Sequence, residues 1–86
     1  MSIGILDIMA SEIEEINKKI CLKIKIERIK RGWSQEQLSE YADISKTSIG
    51  AIERLQSIPS TLSLAKFAKA YGITVSELTD ISKVDL

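Results

Sequence analysis

Between Ser34 and Arg54 the apolar positions sort into two short helical stripes separated by two residues. In the first, Leu38 and Ala42 share one face. Ser34 with Gln37 three residues on forms a capping box, in which the serine oxygen takes an early backbone N–H and the glutamine reaches back to the chain. In the second, Ile49 and Ile52 make one stripe, led in by Ile44, while Lys46, Thr47, Gly50, Ala51 and Arg54 fall on the other, and Ser45 stands at the N-cap position. Only Asp43 and Ile44 lie between the two. So short a joint does not let the helices run antiparallel side by side; they cross steeply, and the second keeps one face free.

Upstream the pattern is longer. Ser11 followed by Glu14 reads as a further capping box, and Glu12, Glu14 and Glu15 suit the positive end of a helix dipole. The spacing predicts a helix from about Glu12 to Arg31, ended by Gly32 in the left-handed region, hence about 20 residues and roughly 30 Å. Leu6, Met9, Ile13, Ile16 and Ile20 alternate spacings of three and four, which is the seam of a helix pair. A second copy covering this stripe is the preferred reading, and folding back onto the domain's own core is the other. Ile3, Ile5 and Ile8 suggest a short strand or an unstructured arm instead. Ile24 and Ile29 are expected in the core, closed by Trp33, with Leu22 and Ile26 on the surface.

Downstream, Gln56 to Ser60 reads as a loop ended by Pro59. Ser60 caps a helix carrying Leu62, Leu64, Ala65, Phe67, Ala68 and Tyr71, mostly core, up to Gly72. Thr74 with Glu77 is another capping box opening a short helix through Thr79. Residues 80–86 show no periodicity and read as a tail. The expected organisation is an arm at 1–11, a helical domain at 12–79 and the tail.

Composition narrows the chemistry. With 86 residues the chain fits one domain, and its 44% hydrophobic residues suffice for a small core. A single cysteine, Cys21, and no histidine leave neither a disulfide framework nor zinc-ligand spacing. No Gly-rich phosphate loop or carboxylate constellation stands out, so an enzyme, a metal or a cofactor is not expected. With no membrane-spanning run and no leader-like start, a reducing cytoplasm is the expected compartment. Formal charge is zero, twelve basic against twelve acidic residues, but unevenly laid out. Residues 1–17 hold four acids and no base, 18–31 seven bases and one acid, and 32–86 five bases and seven acids. Positive charge therefore gathers at Lys18, Lys19, Lys23, Lys25, Arg28, Lys30 and Arg31, either as an electrostatic footprint or as a solvated helix face.

The two crossed helices are a helix-turn-helix. The run Ser34-Gln35-Glu36-Gln37-Leu38, then Ile44-Ser45, Ile49, Ile52-Glu53-Arg54, Pro59-Ser60 and Ala68-Lys69-Ala70-Tyr71-Gly72-Ile73 resembles the Cro and repressor type of helix-turn-helix DNA-binding domain, over about Ile20 to Thr79. The resemblance implies an all-α, five-helix bundle of lambda-repressor-like type, here with its first helix extended at the N-terminus. It implies that the second helix of the motif enters the major groove of double-stranded DNA. Lys46 and Thr47 would read bases, Lys46 by donating to guanine and Thr47 through its hydroxyl or methyl. Gln35, Ser48 and Arg54 would hold phosphate, and Ser45, Gly50 and Ala51 complete the contact surface. It also implies a buried ion pair between Arg28 and Glu53. Three positions depart from the family pattern: Asp43 and Leu55 stand where glycine is usual, and Gly50-Ala51 makes the reading face thin.

Two functions follow from the same surface. One is a sequence-specific transcriptional regulator, a repressor, working as a homodimer with no small-molecule substrate and no membrane. The other is a protein-binding module on the same fold, such as an antitoxin or antirepressor.

Overall fold

The computed structural model describes residues 4–85. Among them lie five helices: α1 (Ile5–Lys30), α2 (Gln35–Ala42), α3 (Lys46–Glu53), α4 (Thr61–Tyr71) and α5 (Val75–Leu78). The fold is all-helical, as the chain's periodicity and its resemblance lead one to expect. Its core is one cluster in which Ile24, Leu38, Ile49, Phe67 and Leu78 are sealed from solvent, ringed by Cys21, Ala42, Ile52, Ala68 and Tyr71. Each helix brings one apolar stripe to this cluster.

Local chemistry explains the boundaries. Ser34 and Gln37 make the reciprocal capping box of α2, and Thr74 with Glu77 does the same for α5. Ser45 and Ser60 accept from the backbone N–H groups of Ser48 and Ser63, opening α3 and α4. Asp43 ends α2 in the left-handed conformation at φ 55°. An aspartate enters that region at modest cost, so the turn forms without the usual glycine.

Helix α1 corrects five expectations. It begins at Ile5 rather than near Glu12, with Gly4 at its N-cap and no side-chain cap. Ser11 is a residue of the second turn and not a cap, because the six residues before it carry nothing that stops a helix and the N–H groups it would cap already have partners one turn back. Ile5 and Ile8 are therefore helical and not strand; Ile3 lies outside the described residues. The helix crosses the border expected at 11/12 without a break. Ile29 is exposed while Ile24 is fully buried, since five residues at 100° each turn it well away from Ile24's face.

Two smaller differences concern the far side. Leu62 is exposed on the first turn of α4, so the core stripe of that helix starts at Leu64. In the segment expected as a tail, Val84 is buried, and Ser82 is tied to Asp80 by backbone and hydroxyl hydrogen bonds of 3.2 and 2.7 Å. Leu86 lies outside the described residues. The first turns of α1 project past the bundle, giving overall extents of 49 × 24 × 21 Å.

Candidate nucleic-acid interface

A buried clamp fixes the orientation of α3. Glu53, in its last turn, is almost wholly buried, and Arg28 of α1 meets it with two prongs, Nε to Oε2 at 2.7 Å and Nη2 to Oε1 at 2.8 Å. The remaining guanidinium nitrogen donates to the Trp33 carbonyl at 2.7 Å, and Gln35 Nε2 donates to Glu53 Oε1 at 3.2 Å. Burial pushes the Glu53 carboxyl up, but the hydrogen bonds from Arg28 and Gln35 outweigh it and hold the group below its ordinary range. The bond to Glu53 in turn raises Arg28 above its own. Planar, bidentate pairing is what a guanidinium offers and an ammonium does not. One ion pair thus joins α1, the loop at Trp33, the start of α2 and the end of α3. The structure brings together Arg28 and Glu53, which the resemblance paired, and adds Gln35.

Gln35 accordingly has a different first partner from the phosphate expected for it. Its amide is half-buried and turned toward Glu53. Gln35 remains the first residue of α2, where backbone N–H groups are unpaired within the helix.

The outer face of α3 is exposed at Lys46, Thr47 and Arg54 and half-covered at Ala51. Lys46 Nζ lies 3.0 Å from Glu36 Oε1 across the motif, an exposed pair that contributes little to stability but holds the ammonium beside an acid. Ser45 and Ser48 are engaged with each other: the Ser45 hydroxyl donates to Ser48 Oγ at 2.8 Å while accepting from the Ser48 N–H. They serve first as the cap of α3.

Gly50 departs most from its expected role. It is buried, and a Cβ built on it would sit 2.8 Å from Arg54 Nη1. The guanidinium of Arg54 therefore lies back across Gly50, with Nε donating to Gln56 Oε1 at 3.1 Å. Gly50 is the bed for Arg54 and not a contact surface of its own. Periodicity placed both on one stripe, as residues four apart are; that one would cover the other was not readable from spacing.

Two further groups were missed. Lys66 of α4 reaches the turn of the motif, donating to the Asp43 carbonyl at 3.1 Å with its carboxylate 3.7 Å away. Glu27 is buried and held by Lys30 and by Arg31, each at 3.1 Å. Burial pushes the Glu27 carboxyl up, and the hydrogen bonds from Arg31 and Lys30 bring it below its ordinary value. Arg31 also donates to the Tyr71 carbonyl at 2.8 Å and lies 4.6 Å from the centre of the Tyr71 ring. The spacing of Glu27 to Lys30 and Arg31 was the available signal.

This changes the picture of the basic segment. Lys18 and Lys19 pair with Glu14 and Glu15, Lys23 reaches the carbonyls of Glu77 and Asp80, and Arg28, Lys30 and Arg31 are engaged as above. Six of the seven basic side chains of 18–31 thus have partners within the chain, and Lys46 and Arg54 are the cations on the α3 face.

A bundle in which α2 and α3 are joined by only three residues, Asp43, Ile44 and Ser45, with α3 pinned from behind and bare in front, defines the class. The helix-turn-helix family model matches residues 24–78, and the chain belongs to that family, of the Cro and repressor type. It is 33% identical over 64 residues to the HTH-type transcriptional regulator SutR of Escherichia coli, covering 74% of this chain and 36% of that protein. It is 25% identical over 65 residues to a Neisseria hypothetical transcription factor from Neisseria meningitidis serogroup B, covering 76% and 61%. With the HTH-type transcriptional regulator YgzD of Bacillus subtilis it shares 32% identity over 56 residues, 65% of this chain and 85% of that one. The chain thus spans about a third of SutR and under two thirds of the Neisseria protein. Among the described residues no helix is long and apolar enough to cross a membrane.

Proposed function

We propose that this chain is a sequence-specific DNA-binding regulator, a transcriptional repressor of the reducing cytoplasm, that binds as a homodimer with α3 in the major groove. The observation that carries the reading is the α3 helix itself. It is fixed from behind by the Arg28–Glu53 clamp and presents Lys46, Thr47, Ala51 and Arg54 outward. In this role Lys46 leaves Glu36 to donate to a base, Thr47 offers its hydroxyl or methyl, and Arg54, lying over Gly50, takes a phosphate. Gln35, with the unpaired N–H groups at the start of α2, and Ser48 position the backbone. Two copies on half-sites about 34 Å apart supply the affinity that one small domain lacks. The names of the relatives, each a transcription regulator or factor, support the reading.

The thin face favours a second reading. With Gly50 covered and Ala51 short, α3 offers few base-reading atoms, and the same surface suits a protein partner, as in an antitoxin or antirepressor. Selection from a random-sequence DNA pool separates the two. For a DNA reader a site is enriched, its affinity falls steeply with salt, Lys46→Ala relaxes one base position by about 1 to 3 kcal/mol, and Gln35→Ala weakens all sequences alike. If nothing is enriched and Lys46→Ala changes no DNA affinity, the regulator reading fails.

A further inference from the structure

The contact between Lys46 and Glu36 joins the two helices of the motif on the side that α3 leaves bare. Lys46 is the first residue of α3, at the positive end of the helix, where a cation is unfavourable. No acid in that turn offsets it. Glu36, in the first turn of α2 and ten positions earlier in the chain, does so, with Nζ and Oε1 3.0 Å apart. Both side chains are open to solvent, 57% for Lys46 and 76% for Glu36. An acid on a face that meets DNA repels phosphate, and once Lys46 has left for a base the carboxylate stands beside the duplex with its charge bare.

We infer that Glu36 is a second base reader, and that Lys46 and Glu36 together recognise one G·C pair. In the major groove guanine shows two acceptors, O6 and N7, and its partner cytosine one donor, the free N–H of N4. The ammonium complements the first base and the carboxylate the second. Spacing fits as well. O6 and N4 are hydrogen-bonded to each other within the base pair, about 2.9 to 3.0 Å apart, and the two protein atoms are 3.0 Å apart. One ion pair is exchanged for charge-assisted bonds to both bases, and neither charge is left bare. An A·T pair sets its donor between two acceptors on different bases, so the ammonium meets one acceptor there instead of two.

Magnitudes decide where the exchange takes place. An exposed ion pair shifts an equilibrium by about fivefold at most, and a well-made base contact by about five- to 150-fold. At a G·C pair the exchange is favourable; at a pair lacking these groups, Lys46 and Glu36 keep each other. The face of α3, with Gly50 covered and Ala51 short, thus gains a reader from α2.

This rests on the DNA-reading role proposed above and names a further residue of its site. The test uses the site enriched from the random-sequence pool against scrambled duplex at one fixed salt, with thermal unfolding to show that each variant is folded. One position is expected to be held to G·C, and both Lys46→Ala and Glu36→Ala are expected to relax it. Glu36→Ala should lower the ratio of selected to scrambled affinity at least fivefold, while affinity for the scrambled duplex does not fall, since an acid has gone. Glu40→Ala, which removes another exposed acid one turn along α2, should leave the ratio unchanged. N4-methylcytosine at the read position, where the methyl group takes the place of the free N4–H, should weaken the parent and leave Glu36→Ala binding as before. If Glu36→Ala raises both affinities alike, the carboxylate only competes for Lys46 and the inference is overturned. A parent indifferent to N4-methylcytosine overturns it too, as does a Lys46-dependent position that prefers A·T. In these three cases a site is still enriched and the regulator reading stands; enrichment of no site removes both.

Discussion

The two halves of α1 carry the same stripe and meet opposite fates. From Ile20 to Lys30 the helix packs against α3, α4 and α5, sinks Ile24 into the core and holds Glu53 through Arg28. From Ile5 to Ile16 it has equally apolar residues at equal spacing, and they stand in solvent. Periodicity therefore tells which face of a helix seeks cover and not what supplies it. One half is covered by the domain's own chain. The other stands bare in the single chain, and the difference predicts that substitutions along one helix cost stability only where it is covered.

The sharpest way to break this comparison is to remove Glu53. Arg28, whose side chain is only 14% exposed, would keep its charge with no carboxylate to meet it. Glu53→Ala is expected to cost about 3 to 5 kcal/mol in denaturant unfolding. Glu14→Ala, which removes the exposed pair to Lys18 on the other half, should stay within about 0.5 kcal/mol. Equal effects would mean that the clamp does not organise the domain.

Cavity mutations put the same question to the apolar stripe. Ile24→Ala should cost about 2 to 5 kcal/mol, because the site is fully enclosed and relaxes only in part. Ile13→Ala, measured at dilution where the chain is monomeric, should lie within about 0.5 kcal/mol. A large loss at Ile13 under those conditions would show that the overhang belongs to the monomer's own fold.

Much of this was legible beforehand, and the reason is local. Ser34, Ser45, Ser60 and Thr74 cap helices because the side chain and the N–H it takes are three residues apart, within reach of a spacing argument. Ser11 had the same signature and failed, because a cap forms only where the chain before it leaves the helix, and Ile5 to Ala10 do not. The Arg28–Glu53 pairing came from resemblance, since nothing in spacing links residues 25 apart. Gln35, Glu36 and Lys66 found partners that no spacing reveals. The candidate site was legible as a stripe on α3, but its occupants' mutual contacts were not: Gly50 looked like a free position and lies under Arg54.

Acid extends the comparison to pH. Glu53 and Glu27 both have carboxyls held below the ordinary value of 4.5 in the folded state. The unfolded chain therefore binds protons at a higher pH than the folded one, so these two groups contribute stability fully above about 4.5 and lose it as pH falls through their lowered values. Unfolding in denaturant across that range should show stability declining with acid, and Glu53→Gln should flatten the decline. The loss should be gentler than that of Glu53→Ala, because a protonated carboxyl still fills the site and still accepts hydrogen bonds. A profile unchanged by Glu53→Gln would assign the acid sensitivity elsewhere.

The smallest effect distinguishes covered from bare surface within α3 itself. Glycine inside a helix is unfavourable by about 1 kcal/mol against alanine, so Gly50→Ala should raise stability by up to that amount. The added methyl, however, claims the space of Arg54 Nη1, 2.8 Å away. What must give is the far end of a flexible side chain, which moves at little cost to folding and loses its bond to Gln56. Stability and binding should therefore part: the variant melts higher, yet binds every DNA sequence somewhat more weakly, with no change in base preference, because a phosphate contact has been displaced and no reader of bases removed. A change in preferred sequence would mean that Arg54 or position 50 meets a base edge. Unchanged affinity would mean that the guanidinium lying over Gly50 does not touch DNA.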